Sequence, residues 1–563
     1  MFAVAPDRLA LQRFYHWEQT TPERVALTQP LGGGALRTYT WAEVGDQVRR
    51  MAGHLRAQGW EPGAKVAILS KNCAWWLMSD LAIWMAGFVS VPLYPTLIAD
   101  TVGQILVHSG ARACFVGKLD AWEAMKAGVP AELPCIAFPL APADAVARSQ
   151  AWDAVCARST PLAGQATRGA DELATIIYTS GTTGQPKGVL HSFGNFAWAI
   201  DKGIARVRMT ADDRMLSYLP LAHVVERVLV EHGWLGTGLA VFFAESLDTF
   251  AADMRRARPT IFFSVPRLWL KFQHAVHREL PPHLLAGLLA IPLAGTLVRR
   301  KVLRTLGLDR CRIAAGGAAP MPLELLAWYR ALGLPINEGY GLTENLAVSH
   351  LTLPGRNQEG SVGPTYDGVE CRIDPFNGEI QVKSAATMTG YYLQPELTQQ
   401  VFTDDGYFRT GDKGALDAGG NLRITGRVKD LFKTSKGKYV APAPIEDKLV
   451  MHAAVEACCV TGANLGQPLA IVMLNAESAQ LARQPEARKA LEISLQQHLE
   501  MVNAGLDPHE QLDCLVVMTE PWTVDNDLIT PTFKVKRNRI EEVYGAMFER
   551  WVGARRPIVW HPN

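Results

Sequence analysis

The chain lacks a charge bias: 56 Lys and Arg face 55 Asp and Glu in 563 residues, a formal charge of +1. No global basic footprint is present, so no nucleic-acid partner is expected, although a few placed cations would suffice for an anionic substrate. A cysteine framework is also missing. The nine cysteines are odd in number and include no CxxC pair. That excludes a small disulfide scaffold and favours a reducing, cytoplasmic compartment. The opening residues, MFAVAPDRLALQRFYHWEQ, have no basic segment leading into a sustained apolar one. No secretory signal is therefore expected. Internal repeats and long heptads are absent as well.

Two apolar runs fall short of a membrane span. Residues 81–99, LAIWMAGFVSVPLYPTLIA, carry no charge and reach the length of a spanning helix. However, Pro92 and Pro95 interrupt the second half, Val89, Val91, Leu93 and Tyr94 read as strand, and no Lys/Arg cluster flanks the run. It predicts a buried helix turning at Gly87 into a core strand. Residues 284–298 contain Pro292 and are followed by Arg299, Arg300 and Lys301. They read either as a basic-edged surface patch, which would give a peripheral membrane contact, or as a core helix with a solvated basic end.

What is present is size. A chain of 563 residues exceeds one hydrophobic core and calls for two to four units. Up to residue 170, KVAILSKN, a helical segment at 75–85 and ACFVG alternate strand with helix, favouring a mainly parallel sheet covered by helices. Residues 138–170, rich in Ala, Pro, Ser and charge, read as a connector. A second α/β stretch starts near Glu172 with ATIIYTS, a Gly/Thr turn and a helical FGNFAWAIDKGIA, and continues through RMLSYLP, LAVFF, TIFFSVP and RCRIAAGG. Between residues 362 and 427, GVECRID, GEIQVKS, GYFRTGD and GNLRITGR read as short strands between Gly, Asp and Asn turns. Strand and helix then alternate to the end.

The sharpest motif is Thr179, Ser180, Gly181, Thr182, Thr183, Gly184, Gln185, Pro186, Lys187, Gly188. Glycines let backbone amides approach a phosphate, hydroxyls add donors and Lys187 adds charge. It is not a Walker A loop, because Pro186 stands where that motif needs glycine. The other segments are weaker alone. His223 in PLAHVVER is either a packing histidine or a polar tip at an apolar pocket, and His191 is equally ambiguous; neither is assigned as a general base. Gly317, Ala318 and Ala319 form a tight small-residue turn. Glu338-Gly339-Tyr340-Gly341-Leu342-Thr343-Glu344, Asp412 in FRTGD, Arg427 and Lys429 in GRVKD, the basic turn KTSKGKY and Lys534 in TPTFKVKR complete the set. No transition-metal cluster is apparent.

In this order the motifs resemble the adenylate-forming acyl ligase superfamily of AMP-binding enzymes, specifically its long-chain fatty acyl-CoA synthetase branch, over nearly the whole chain. The resemblance implies that residues 179–187 form the phosphate loop for ATP. Gly317, Ala318, Ala319, Tyr340 and Gly341 would border the adenine and acyl-adenylate. Thr343 would lie by the phosphate or reacting carboxylate, and Glu344 would support Mg2+. Asp412 would receive the ribose hydroxyls and Arg427 would contact the nucleotide. His223 would edge the fatty-acid pocket. Lys429 would be the pivot of a hinge, and Lys436, Gly437 and Lys438 would serve the CoA side. Lys534 would approach the carboxylate and α-phosphate, although TPTFK departs from the commoner TxSGK. Catalysis would therefore rest on Lys534, Lys187, Thr343 and Glu344.

The expected fold is α/β. A large N-terminal domain (1–427) would contain two α/β subdomains (1–170 and 171–360) and a small β subdomain (361–427). A mobile, smaller α+β domain (428–563) would follow it. The implied reaction joins fatty acid, ATP and CoA through acyl-AMP. An acyl-carrier protein is the alternative acceptor, and a catalytically weakened fatty-acid or nucleotide-binding regulator is the alternative of another class.

Overall fold

Apolar runs from distant parts of the sequence assemble into one eight-stranded sheet. Its order is Gly390–Tyr391, Pro186–Ser192, Leu173–Ser180, Val89–Leu93, Lys65–Leu69, Ala111–Val116, Cys135–Ala137, Gln150–Ala151. The computed structural model describes residues 4–180, 186–319, 321–353, 355, 358, 360–530 and 534–561. From Leu173–Ser180 to Gln150–Ala151 neighbouring strands run parallel, and the two strands beyond Leu173–Ser180 are antiparallel additions. Parallel strands need crossovers, and the helices supplying them cover the sheet.

The run at 81–99 begins in the last turn of the helix Ala74–Met85, wholly buried, and turns through Gly87 (φ +92°) into Val89–Leu93. The helices begin where sequence chemistry allows. Thr40 caps Trp41–Arg56 by accepting from the Glu43 amide at 3.2 Å, while Glu43 accepts from the Thr40 amide at 2.7 Å. Ser192 and Asn195 do the same for Phe193–Val207.

A second sheet joins Arg214–Ser217, Ala240–Phe243, Val25–Gly32 and Ala35–Thr40, and a third joins Ile261–Ser264, Ile313–Gly316, Ile336–Tyr340 and His350–Leu351. The α/β layers thus exchange strands across residue 170 rather than following one another along the chain. Residues 138–170 are more than a connector. They supply the edge strand Gln150–Ala151 and the helix Trp152–Arg158, whose Trp152 and Val155 are fully buried.

Four antiparallel strands, Glu370–Ile373, Glu379–Lys383, Phe408–Leu416 and Leu422–Arg427, form the small β unit. The smaller C-terminal α+β domain is built on Val455–Thr461, Leu469–Leu474, Leu515–Met518 and Ile558–Trp560, with separate apolar clusters on its two faces. Among the described residues no helix is long and apolar enough to cross a membrane. The nine cysteines are all free, and none is fully exposed.

Candidate nucleotide and acyl site

The strand Leu173–Ser180 is held in the sheet by buried Ile176 and Ile177, and Pro186–Ser192 returns antiparallel beside it. In that register Thr179 stands opposite Lys187, so both meet at the mouth of the Gly/Thr turn. Gly181, Thr182, Thr183 and Gly184 lie outside the described residues, as does the side chain of Ser180.

Lys187 Nζ sits 5.7 Å from the centre of the Tyr391 ring. Tyr391 is in the two-residue strand that extends the same hairpin, opposite Val189. Its hydroxyl donates to Glu344 Oε1 at 2.8 Å. Burial and the neighbouring carboxylate push that phenol far above its ordinary range, so it stays a donor. Tyr391 therefore links the two charges that sequence reasoning had assigned separately.

Thr343 and Glu344 lie in a single 3-10 turn, Thr343–Asn345. Asn345 Oδ1 accepts from the Leu342 amide at 2.8 Å, and His191 Nε2 donates to the Thr343 carbonyl at 2.7 Å. A carbonyl can only accept, which fixes the proton on Nε2. Burial holds His191 down to about 4, so it is a neutral prop for this turn. Close approach explains two glycines. A Cβ on Gly341 would come within 2.5 Å of the Ala347 backbone, and one on Gly317 within 2.8 Å of the Gly339 carbonyl oxygen. Ala318 adopts φ +68°, a left-handed conformation costly for a residue with a side chain, and both it and Ala319 are exposed.

On the opposite side Tyr340 is buried, and its hydroxyl donates to Asp412 Oδ2 at 2.8 Å. Arg427 Nε donates to Asp412 Oδ1 at 2.9 Å from the adjacent strand. Each carboxylate oxygen keeps a further acceptor position for a hydroxyl. Lys534, in the C-terminal domain, comes to the same place. Its ammonium interacts with Arg427, Asp412 and Glu344, and it depresses His223 from across the cleft. Crowding protein atoms and Arg427 lower the lysine's pKa and the two carboxylates oppose them, while the residue as a whole stays exposed. His223 accepts from the Val225 amide through Nδ1 at 3.3 Å and is lowered to about 4, chiefly by burial. It is a neutral polar tip at the start of a helical turn.

The remaining assignments are not drawn into this cluster. Lys429 is exposed just beyond the strand Leu422–Arg427. Lys436, Gly437 and Lys438 form the exposed tip of the hairpin joining Phe432–Lys433 to Tyr439–Val440, where Lys436 bonds Gln467 Oε1 at 3.2 Å and Gly437 has φ +78°. Glu338 opens the same motif but carries no role implied by the resemblance. It is buried, no described residue hydrogen-bonds its carboxyl, and desolvation raises it to about 8. The only signal in the sequence was its place directly before Gly339 and Tyr340.

Among the described residues no group of three His, Cys, Asp or Glu could cage a metal. A single carboxylate, Glu344, whose Oε2 has no hydrogen-bond partner among the described residues, fits a hard cation whose other ligands are phosphate oxygens and water.

The AMP-binding enzyme family model matches residues 14–392, and the model of the AMP-binding enzyme C-terminal domain matches residues 429–550. The chain is 30% identical to the long-chain-fatty-acid–CoA ligase FadD15 of Mycobacterium tuberculosis, over 96% of each protein. It is 28% identical to the peroxisomal long chain acyl-CoA synthetase 7 of Arabidopsis thaliana, covering 97% of this chain and 87% of that one. Among solved structures, the A domain of carboxylic acid reductase from Segniliparus rugosus, in complex with AMP and a co-purified carboxylic acid, superposes with a TM-score of 0.79. It is 24% identical over 97% of this chain and 94% of that one.

Proposed function

Because the chain belongs to the AMP-binding enzyme family, an ATP-dependent, adenylate-forming group of ligases, we propose that it activates long-chain fatty acids and transfers them to CoA. The observation that carries the acyl and CoA assignment is the end-to-end likeness to a long-chain-fatty-acid–CoA ligase, over 96% of both chains. The convergence of Lys534, Glu344, Asp412 and Arg427 supports the residue roles.

In the first half-reaction a carboxylate oxygen of the fatty acid attacks the α-phosphorus of ATP. A P–O bond forms as the bond to pyrophosphate breaks. Lys187 and Lys534 offset the negative charge that two anions bring together, and they do so in a cleft where charges are only partly screened. Thr179, Ser180, Thr182 and Thr183, the hydroxyl residues of the phosphate motif, would donate to the phosphates, and Thr343 would orient the reacting oxygens. Asp412 and Arg427 hold the ribose end, beside Tyr340 at the base. Glu344 would hold Mg2+, which supplies further neutralisation of the phosphates when bound. In the second half-reaction the sulfur of CoA, its thiol proton lost, attacks the acyl carbonyl and AMP leaves with the electrons of the C–O bond. His223 would edge the acyl chain.

We further propose that residues 428–563 turn about Lys429 between the two half-reactions, bringing Lys436, Gly437 and Lys438 to the entrance for CoA. The contact of Lys534 with Asp412 and Glu344, with the 436–438 tip bonded instead to Gln467, supports reading this arrangement as the one for adenylation.

The test is a product assay. Purified protein, ATP and Mg2+ are given short, medium, long and aromatic acids with CoA, and AMP and thioester are both quantified. Thioester formed in step with AMP on long acids is the expected outcome. A preference for aromatic or short acids would overturn the substrate, and AMP released without CoA consumption, together with acylation of a carrier protein, would overturn the acceptor.

A further inference from the structure

The two helices at residues 282–305 lie outside this chemistry. Pro282–Ala290 buries only Leu285, and Pro292–Thr305 buries only Gly295 and Val302, so the reading as a core helix does not hold. Instead Leu284, Ile291, Leu293 and Leu297 are exposed by 50, 52, 84 and 67%. These are isolated from neither one another nor the protein. A Cβ at Gly295 would come 2.6 Å from the Leu289 carbonyl, so the two helices pack tightly. Arg299 donates to the Ala331 carbonyl at 2.9 Å, and Leu303 and Leu306 rest against the core around Trp269, so the pair is a braced hairpin.

Its exposed face is ordered by chemistry. Leu293, Leu297, Arg300 and Arg304 recur at intervals of four, three and four, one side of a helix. Lys301 flanks them. At 1.5 Å per residue, the basic level stands roughly 10 Å from the leucine at the tip. Between Glu279 and Asp309 there is no acidic residue, and among the described residues no ion pair engages Arg300, Lys301 or Arg304. There is also no Phe, Tyr or Trp in that interval, the residues that enrich the centres of protein–protein interfaces. An aliphatic tip beneath a collar of one sign of charge matches an interface in which apolar groups sink 5–10 Å and cations meet phosphates.

We propose that this hairpin docks the protein on an anionic lipid surface, its leucines entering the acyl boundary and Arg300, Lys301 and Arg304 engaging the phosphate level. The surface is independent of which acid the site activates. Full-length protein would be floated with phosphatidylcholine vesicles, and with vesicles in which part of that lipid is replaced by phosphatidylglycerol. Binding to the anionic vesicles is expected, falling as salt rises. Replacing Arg300, Lys301 and Arg304 together by Glu should cost about a hundredfold in that binding. The pair Leu293→Asp and Leu297→Asp should abolish it at every salt concentration. Both variants should keep the parent's melting temperature and acid-dependent AMP release, since the positions are exposed and outside the site. Failure of the parent to float, unchanged flotation of the leucine variant, or an unchanged lipid preference in the charge variant would each overturn the proposal. So would a leucine variant that dissociates a dimer without altering flotation, which would make a second copy the occupant.

Discussion

At the residue scale, Lys534 bears the strongest expectation because two independent features meet in it. It is one of few cations brought to the carboxylates of Asp412 and Glu344, and it arrives from a different domain. Lys534→Ala should slow acid-dependent ATP–pyrophosphate exchange by about a hundredfold or more, the scale of losing one stabilising group at a charged transition state. Conversion of supplied acyl-AMP and CoA to thioester should persist, and normal exchange in the variant would remove the lysine from the mechanism. Only the protonated amine can offset charge. Since crowding protein atoms and Arg427 depress its pKa, the alkaline limb of exchange should fall below the ordinary lysine value of 10.5. Glu338 gives a prediction of opposite sign. Its carboxyl is raised from 4.5 to about 8, so the folded protein binds a proton that the unfolded chain releases. Its contribution to stability is present below about 4.5 and is lost as pH rises through about 8. Glu338→Gln keeps the shape without the charge. Its melting temperature should match the parent at pH 5 and exceed it at pH 9, and parallel pH curves for the two proteins would contradict a desolvated carboxyl at this position.

Elements show what could be read in advance and what could not. Strands such as Leu173–Ser180 and Glu379–Lys383 were legible because their apolar content is local, and Thr179, Lys187, Thr343 and Glu344 were legible because they sit in contiguous motifs. Tyr391 was not. It joins the site only because Gly390–Tyr391 pairs with Pro186–Ser192, a register some two hundred residues apart that no local periodicity encodes. Strand exchange across residue 170 was hidden for the same reason: one of the two partners of Val25–Gly32 is Ala240–Phe243. The hairpin at residues 282–305 was half legible, since composition gave its basic edge but could not say which face would lack a partner. Tyr391→Phe tests the element contact directly. A hydrogen bond to a carboxylate contributes roughly 1.5–3 kcal/mol, so kcat/KM for ATP should fall about tenfold or more while the fold stays intact. Unchanged kcat/KM would mean that Glu344 is held without it.

For the whole molecule, the decisive relation is between the two domains. Arg267, on the helix Pro266–Glu279 of the large domain, pairs with Glu456 on the strand Val455–Thr461 of the smaller one. Met451 packs beside it against the cluster around Trp269. Both contacts accompany the arrangement that puts Lys534 beside Asp412 and Glu344, and neither Arg267 nor Glu456 is among the proposed site residues. If the final domain turns between half-reactions, weakening this pair should tax one arrangement and spare the other. Arg267→Glu should therefore slow acyl-AMP formation by about fivefold, the scale of roughly 1 kcal/mol for a half-exposed ion pair turned repulsive. Thioester formation from supplied acyl-AMP should hold steady or quicken. The double variant Arg267→Glu with Glu456→Arg restores opposite charges and should recover the first half-reaction, which separates a docking effect from damage to either domain. Rapid-quench measurement of each half-reaction distinguishes the outcomes. Equal slowing of both steps, or no recovery in the charge swap, would leave Lys429 without a hinge to serve.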